Sequence, residues 1–297
     1  MHYAKGYGPS LGYTEYILLS HACRLIYFRV HKCGSSSVRK FLIQPRTGHP
    51  DGFCPDLRVY RSRRNYGYDD GAPPGWDLDA ALAGERVPWI GDPGRVSEPY
   101  FLFGLVREPV SRFMSTYNFI RTESLSGARP FVQRPAEGWT KRHDAGGYEP
   151  AEARMVHLRN VLRDLPGALS CRQGVKDLKG AGNDHFQRSV NFIQDEYGRS
   201  YALDYAGHLE DGLLPTYNRL RGWLCQVSAT SNVQLQMSGE QWDREVNLRA
   251  NKRSNTWPWE VKRSELSVSD VRQICRAYAQ DYECFGYALP AECARDV

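Results

Sequence analysis

Residues 24–43, RLIYFRVHKCGSSSVRKFLI, pass from an apolar stretch through a lysine and a glycine into three serines and then a helical pattern. Leu25, Ile26, Tyr27, Phe28 and Val30 make a run of strand length, which predicts a buried strand over 24–30. Val38, Phe41 and Leu42 follow at helical spacing. A turn between such a strand and a helix carries the helix's first N–H groups, which have no acceptor inside it, at the positive end of the dipole. Phosphate or sulfate suits that position. Gly34 allows close backbone approach, Ser35, Ser36 and Ser37 add hydroxyl donors, and Lys32 supplies charge. The GxxxxGK[ST] pattern of a nucleotide P-loop is absent, because the lysine precedes the glycine and the loop is shorter. Taken alone, the stretch reads equally well as a plain strand-to-helix turn with an exposed lysine.

A second segment repeats the plan. YFLFGLV (100–106) is another continuous apolar run, and REPVSRFMSTYNFIR (107–121) places Val110, Phe113, Met114, Tyr117 and Ile120 on one helical face. Pro109 suits the first helical turn. Arg107 stands where the strand ends, and Ser115 lies eight residues on, beside Ser111 and Asn118 on the flank of the apolar face. Ligands of parallel α/β sheets bind at the strand ends, where an arginine and a hydroxyl fit a second phosphate. The bland alternative is an Arg107 paired with a nearby carboxylate and a solvated Ser115.

Elsewhere the pattern predicts helices over 151–163, 185–194 and 209–224 and a short strand over 201–207. Ser267 with Asp270 makes a capping box for a last helix whose stripe is Val271, Ile274, Cys275, Tyr278, Tyr282 and Phe285. Residues 45–100, with RSRRNYGYDDGAPPGWD inside them, and 122–150 read as irregular excursions. Strands alternating with helices predict an α/β fold, a three-layer sandwich with a mainly parallel central sheet flanked by helices, in a single domain over 1–297.

Thirty-nine Lys and Arg against 34 Asp and Glu give a net charge of +5 over 297 residues, too mild to argue for a nucleic-acid partner but compatible with an anionic ligand. Cysteines at 23, 33, 54, 171, 225, 275, 284 and 293 show neither a CxxC pair nor zinc spacing, so no metal is expected, and their pairing does not follow from the spacing. The early patch YILLS lacks the basic start and longer apolar run of a signal peptide. No stretch reaches the length of a membrane span. A soluble, cytoplasmic chain is the expectation, favoured by Met1; an excised lumenal catalytic part is the alternative.

HKCGSSS (31–37) resembles the 5′-phosphosulfate loop of sulfotransferases that use 3′-phosphoadenosine 5′-phosphosulfate (PAPS), and VREPVSRFMSTY (106–117) resembles their 3′-phosphate motif. The branch most similar is that of the Golgi carbohydrate sulfotransferases of chondroitin, dermatan, HNK-1 and heparan 2-O type. NDHFQRS (183–189) is similar to their DxHWxPQ segment, LDYAGHLED (203–211) to DFIGxxE, and YAQDYECFGY (278–287) to their YxxDFxxFxY ending. The likeness runs from about residue 24 to 288. His31 stands where the family has proline, and Arg188-Ser189 where it has Pro-Gln.

The resemblance implies a P-loop-like scaffold and metal-independent, in-line transfer of the sulfuryl group from PAPS to a hydroxyl or amine of a carbohydrate or small metabolite. It places the 5′-phosphosulfate on Lys32, Cys33, Gly34, Ser35, Ser36 and Ser37, with Lys32 also catalytic, and the 3′-phosphate on Arg107 and Ser115. Glu85, in LAGERVPWIGD (82–92), falls about where relatives carry a general base; Asp92 and His185 are the other candidates. RANKRSNTWPW (249–259) resembles the basic loop that closes over the cofactor's 3′-phosphate, through Arg249, Lys252, Arg253 and Ser254. Two other readings stay open: a P-loop kinase, against which the absent Walker spacing counts, and a non-catalytic anion- or glycan-binding module.

Overall fold

Both apolar runs become neighbouring strands of one sheet. The computed structural model describes residues 17–20, 22–43, 54, 58–60, 100–125, 151–169, 185–193, 200–230 and 260–294. These fall into two compact units, each made of two chain segments: unit 1 holds 1–106 and 191–253, and unit 2 holds 107–190 and 254–297.

Unit 1 carries the sheet. Its strands are β1 (Ile17–Ser20), β2 (Leu25–Phe28), β3 (Arg58–Tyr60), β4 (Phe101–Val106) and β5 (Tyr205–His208), in the order β3-β1-β2-β4-β5. β2, β4 and β5 pair in parallel, while β1 runs antiparallel to both β2 and β3. Four of the five strands therefore share one direction, and β1 alone is reversed.

Side chains alternate along β2 and β4. Leu25, Tyr27, Phe101, Phe103 and Leu105 face one buried cluster, which they share with Val38, Phe41 and Leu42 of helix α1 (Ser35–Ile43) and Leu220 and Leu224 of α4 (Leu214–Thr230). Phe41 stacks on Tyr217 at 4.2 Å between ring centroids. Ile26, Phe28, Leu102 and Val106, on the opposite face, are equally buried, and Phe28 packs on Tyr201 at 4.9 Å. Burial on both faces explains why these strands read as unbroken apolar runs. Asp204 fixes the start of β5 against β4: its amide donates to the Leu102 carbonyl, and its carboxylate accepts from the Leu102 amide, each at 2.8 Å.

Unit 2 is helical, with α2 (Pro109–Leu125), α3 (Ala151–Leu169), α5 (Val268–Ala277) and α6 (Ala279–Phe285). The stripe expected on α2 is buried against Leu158, Leu162 and Leu165 of α3 and Val271 and Ile274 of α5. α3 runs six residues past its expected end, through Pro166, because Leu165 and Leu169 are buried on either side of the proline and their packing offsets its lost hydrogen bond. The capping box holds: Ser267 Oγ accepts from the Asp270 amide, and the Asp270 carboxylate accepts from the Ser267 amide. The stripe behind it spans two helices, broken at Tyr278 (φ −110°, ψ 21°).

Among the described residues two disulfides form, one in each unit. Cys23–Cys54 ties the chain just before β2 to the first excursion, and Cys275–Cys293 ties α5 to the segment after α6. Closing loops of this size stabilises a fold by about 2–4 kcal/mol each. Reductant is therefore expected to lower the melting temperature by several degrees in a calorimetric scan; an unchanged scan would mean that the bridges do not form.

Candidate functional site

The 31–37 turn begins where β2 gives out. Lys32 (φ 63°) and Gly34 (φ 74°) both take left-handed backbone conformations. For glycine this is ordinary. For lysine it is uncommon and costs on the order of 1 kcal/mol. A Cβ on Gly34 would sit 3.0 Å from Leu209 Cδ1 and 3.4 Å from Leu213 Cδ2, so the loop after β5 packs tightly over the glycine and a side chain there would have to displace the leucines. Ser37 and Val38 amides donate to the Gly34 carbonyl at 2.9 and 3.3 Å, closing the first turn of α1. The amides of Ser35 and Ser36 precede that turn and have no acceptor within the helix.

The side chains of the turn divide by direction. Cys33 is fully buried and its thiol donates to the His31 carbonyl at 3.5 Å, so it faces the core and offers a ligand only its backbone. Tyr27 lies close to that thiol, and burial pushes its phenol far above the usual range. His31 is buried edge-on against Phe192, with centroids 5.2 Å apart. Lys32 and Ser37 are half-buried, Ser36 is exposed and Ser35 is nearly buried. The result is a short rim of one cation, open amides and hydroxyls above an apolar floor, a chemistry that suits an anion.

In unit 2 the chain leaves β4 directly into Arg107, which is half-buried and, among the described residues, makes no hydrogen bond or ion pair. The carboxylate partner of the bland reading is absent there. Ser115 is also half-buried, with no side-chain hydrogen bond among the described residues. Asn118 is committed to structure instead: its amide nitrogen donates to the Val261 carbonyl and its oxygen accepts from the Val261 amide, both at 3.0 Å.

Next to Arg107, Glu108 caps α2. Its Oε1 accepts from the Val110 amide (3.1 Å) and the Tyr282 hydroxyl (2.6 Å), and its Oε2 from the Ser111 amide (2.7 Å) and Arg263 Nη1 (3.3 Å). Burial alone would raise this carboxyl, but the hydrogen bonds from Tyr282, Ser111 and Val110 outweigh it and hold the pKa below the usual value.

Residues 185–189 and 278–287, which lie in segments the sequence aligns with separate family motifs, clasp each other. Tyr278 donates its hydroxyl to the Phe186 carbonyl (2.6 Å), and Arg188 Nε donates to the Ala277 carbonyl (2.9 Å). Asp281 accepts from the amides of Ser189 (2.7 Å) and Val190 (3.0 Å). Arg112 enters from α2, donating to the carbonyls of His185 (3.3 Å) and Gln187 (2.5 Å), with Nη1 3.8 Å from the Asp281 carboxylate. The His185 ring stacks on Phe119 at 5.2 Å and its carbonyl also accepts from Thr116. The loop that carries this candidate base is thus held through its backbone.

Glu85, Asp92, Arg249, Lys252, Arg253 and Ser254 lie outside the described residues. Sequence reasoning missed Glu108, Arg112 and Asp281. An acidic residue directly before a proline at a helix start was a visible cap signal for the first; the other two depend on contacts 73 to 92 residues apart along the chain, which leave no local trace.

The model of the Sulfotransferase family matches residues 15–211, about two thirds of the chain. The protein belongs to this family. It is accordingly a transferase of the sulfuryl group by class, on a mixed α/β scaffold. No curated protein and no solved structure matches the chain.

Proposed function

We propose that this chain transfers the sulfuryl group of PAPS to a hydroxyl or amine of an acceptor, a carbohydrate or a small metabolite, on a P-loop-like scaffold of the kind found in the Golgi carbohydrate sulfotransferases. The observation that carries the reading is the Lys32–Gly34 turn, left-handed at both residues, which presents a cation and the first amides of α1 together. Arg107, which has no side-chain partner among the described residues, supports it.

In this reading the amides and hydroxyls at 33–37 hold the 5′-phosphosulfate, with Lys32 beside them to neutralise the charge that gathers on the leaving oxygen. Arg107 and Ser115 take the 3′-phosphate, assisted by Arg249, Lys252, Arg253 and Ser254. The donor supplies a sulfur whose bond to the phosphate bridging oxygen breaks as the acceptor's lone pair forms the new bond. The acceptor's proton passes to a carboxylate or imidazole of the chain, for which Glu85 is the first choice and His185 the second. Of the described residues, no helix is long and apolar enough to cross a membrane. The two disulfides favour an oxidising compartment over the cytoplasm expected from the sequence.

The test is a thermal-shift comparison. Adenosine 3′,5′-bisphosphate at a hundredfold excess over its dissociation constant stabilises the folded state by about 2.7 kcal/mol, whereas ATP with magnesium is expected to shift the melt far less. The reverse ranking would favour the kinase. Incubation with labelled PAPS and a panel of glycans, alcohols, amines and guanidines, read by mass spectrometry, then separates an enzyme from a binding module and names the acceptor class.

A further inference from the structure

We infer that Glu108 is a positioning residue: by saturating its own carboxylate it keeps the adjacent Arg107 guanidinium, unpaired among the described residues, placed for a ligand's phosphate. The inference rests on the reading of Arg107 given above and adds to it a residue that neither the spacing nor the family likeness assigned. An arginine followed directly by a glutamate at a helix start has a ready counter-ion, and such a pair would leave little charge for an incoming anion. In this protein the carboxylate is spent elsewhere. Each oxygen accepts two donors, from the first turn of α2, from Tyr282 of α6 and from Arg263 of the 263–265 turn.

The two helix starts are consequently used in opposite ways. α1 leaves its first amides open to a ligand, whereas the Val110 and Ser111 amides of α2 are occupied by the protein's own carboxylate. Anion recognition at the start of α2 must then come from side chains, Arg107 first. Two remote segments hold the cap from behind, so the direction in which Arg107 leaves the helix depends on residues 263 and 282.

The experiment is calorimetric titration of the full chain with adenosine 3′,5′-bisphosphate and, in parallel, with adenosine 5′-monophosphate, which lacks the 3′-phosphate. Glu108→Gln is expected to weaken bisphosphate binding about tenfold and to leave the monophosphate unaffected. Glu108→Asp should restore most of the loss. Tyr282→Phe, which removes one donor and keeps the charge, should show the same selectivity at about threefold. Equal weakening of both ligands, or of neither, in Glu108→Gln and Tyr282→Phe would overturn the inference. If Arg107→Ala itself left bisphosphate affinity unchanged, the functional reading of Arg107 would fall instead, so the two failures are distinguishable.

Discussion

Arg112→Ala is expected to be among the most destabilising single changes in the molecule, lowering the melting temperature by on the order of 10 °C. The guanidinium is 1% exposed and donates hydrogen bonds to two carbonyls of the 185–190 segment. Asp281 is equally buried and gives its acceptors to two amides of the same segment. Burial raises the Asp281 pKa, and Arg112 and the two amide donors work against that rise. Removing the arginine leaves a buried carboxylate without its counter-ion and takes one donor from each of two carbonyls, a loss of about 3–5 kcal/mol. Asp281→Asn strands the cation in the same way. The joint replacement Arg112→Met with Asp281→Leu is expected to cost less than the two single losses together, because neither charge is then left alone. Thermal melts followed by circular dichroism measure all three, and strict additivity would show that the two residues do not act as a pair.

Lys32→Gly is expected to separate stability from activity. The left-handed backbone at position 32 suits glycine better than lysine, so the variant should melt no lower than the parent and gain up to about 1 kcal/mol. Its rate of releasing adenosine 3′,5′-bisphosphate from PAPS under single-turnover conditions should nevertheless fall about 10²–10³-fold, the usual consequence of removing one charge from a stabilised leaving group. A stable variant that kept its rate would remove Lys32 from the mechanism. One that lost both stability and rate would mean that the side chain holds the turn together. The pattern expected here is that of a strained residue kept for function.

The turn at 31–37 and the start of α2 were legible because each is written within a dozen residues: an unbroken apolar run, a glycine or proline at the turn, then apolar positions at helical spacing. The capping box at Ser267 and Asp270 is of the same local kind. Two strands were not legible. β1 has four residues and β3 three, too short for alternation to register, and each gains its order from its neighbours, Leu18 from pairing with Tyr27 and Val59. The helix expected over 185–194 is instead a single turn followed by a 3-10 stretch at Ser189–Ile193. Asp281 takes the amides of Ser189 and Val190 there, which an α-helix would have used itself. Disulfide pairing was silent in the spacing because the two bridges, 31 and 18 residues apart, are set by the packing of their units.

The interleaving of the two units shapes how the protein can be synthesised. The ribosome delivers β2 and β4 early, yet the sheet cannot complete until β5 emerges after residue 208. Glu108 waits longer still, for Arg263 and Tyr282, 155 and 174 residues downstream. Both units therefore stay unfinished on the nascent chain until nearly all of it has been translated, which favours slow delivery and chaperone cover over stepwise folding. A fragment ending anywhere between residues 107 and 190 would lack the second segment of both units.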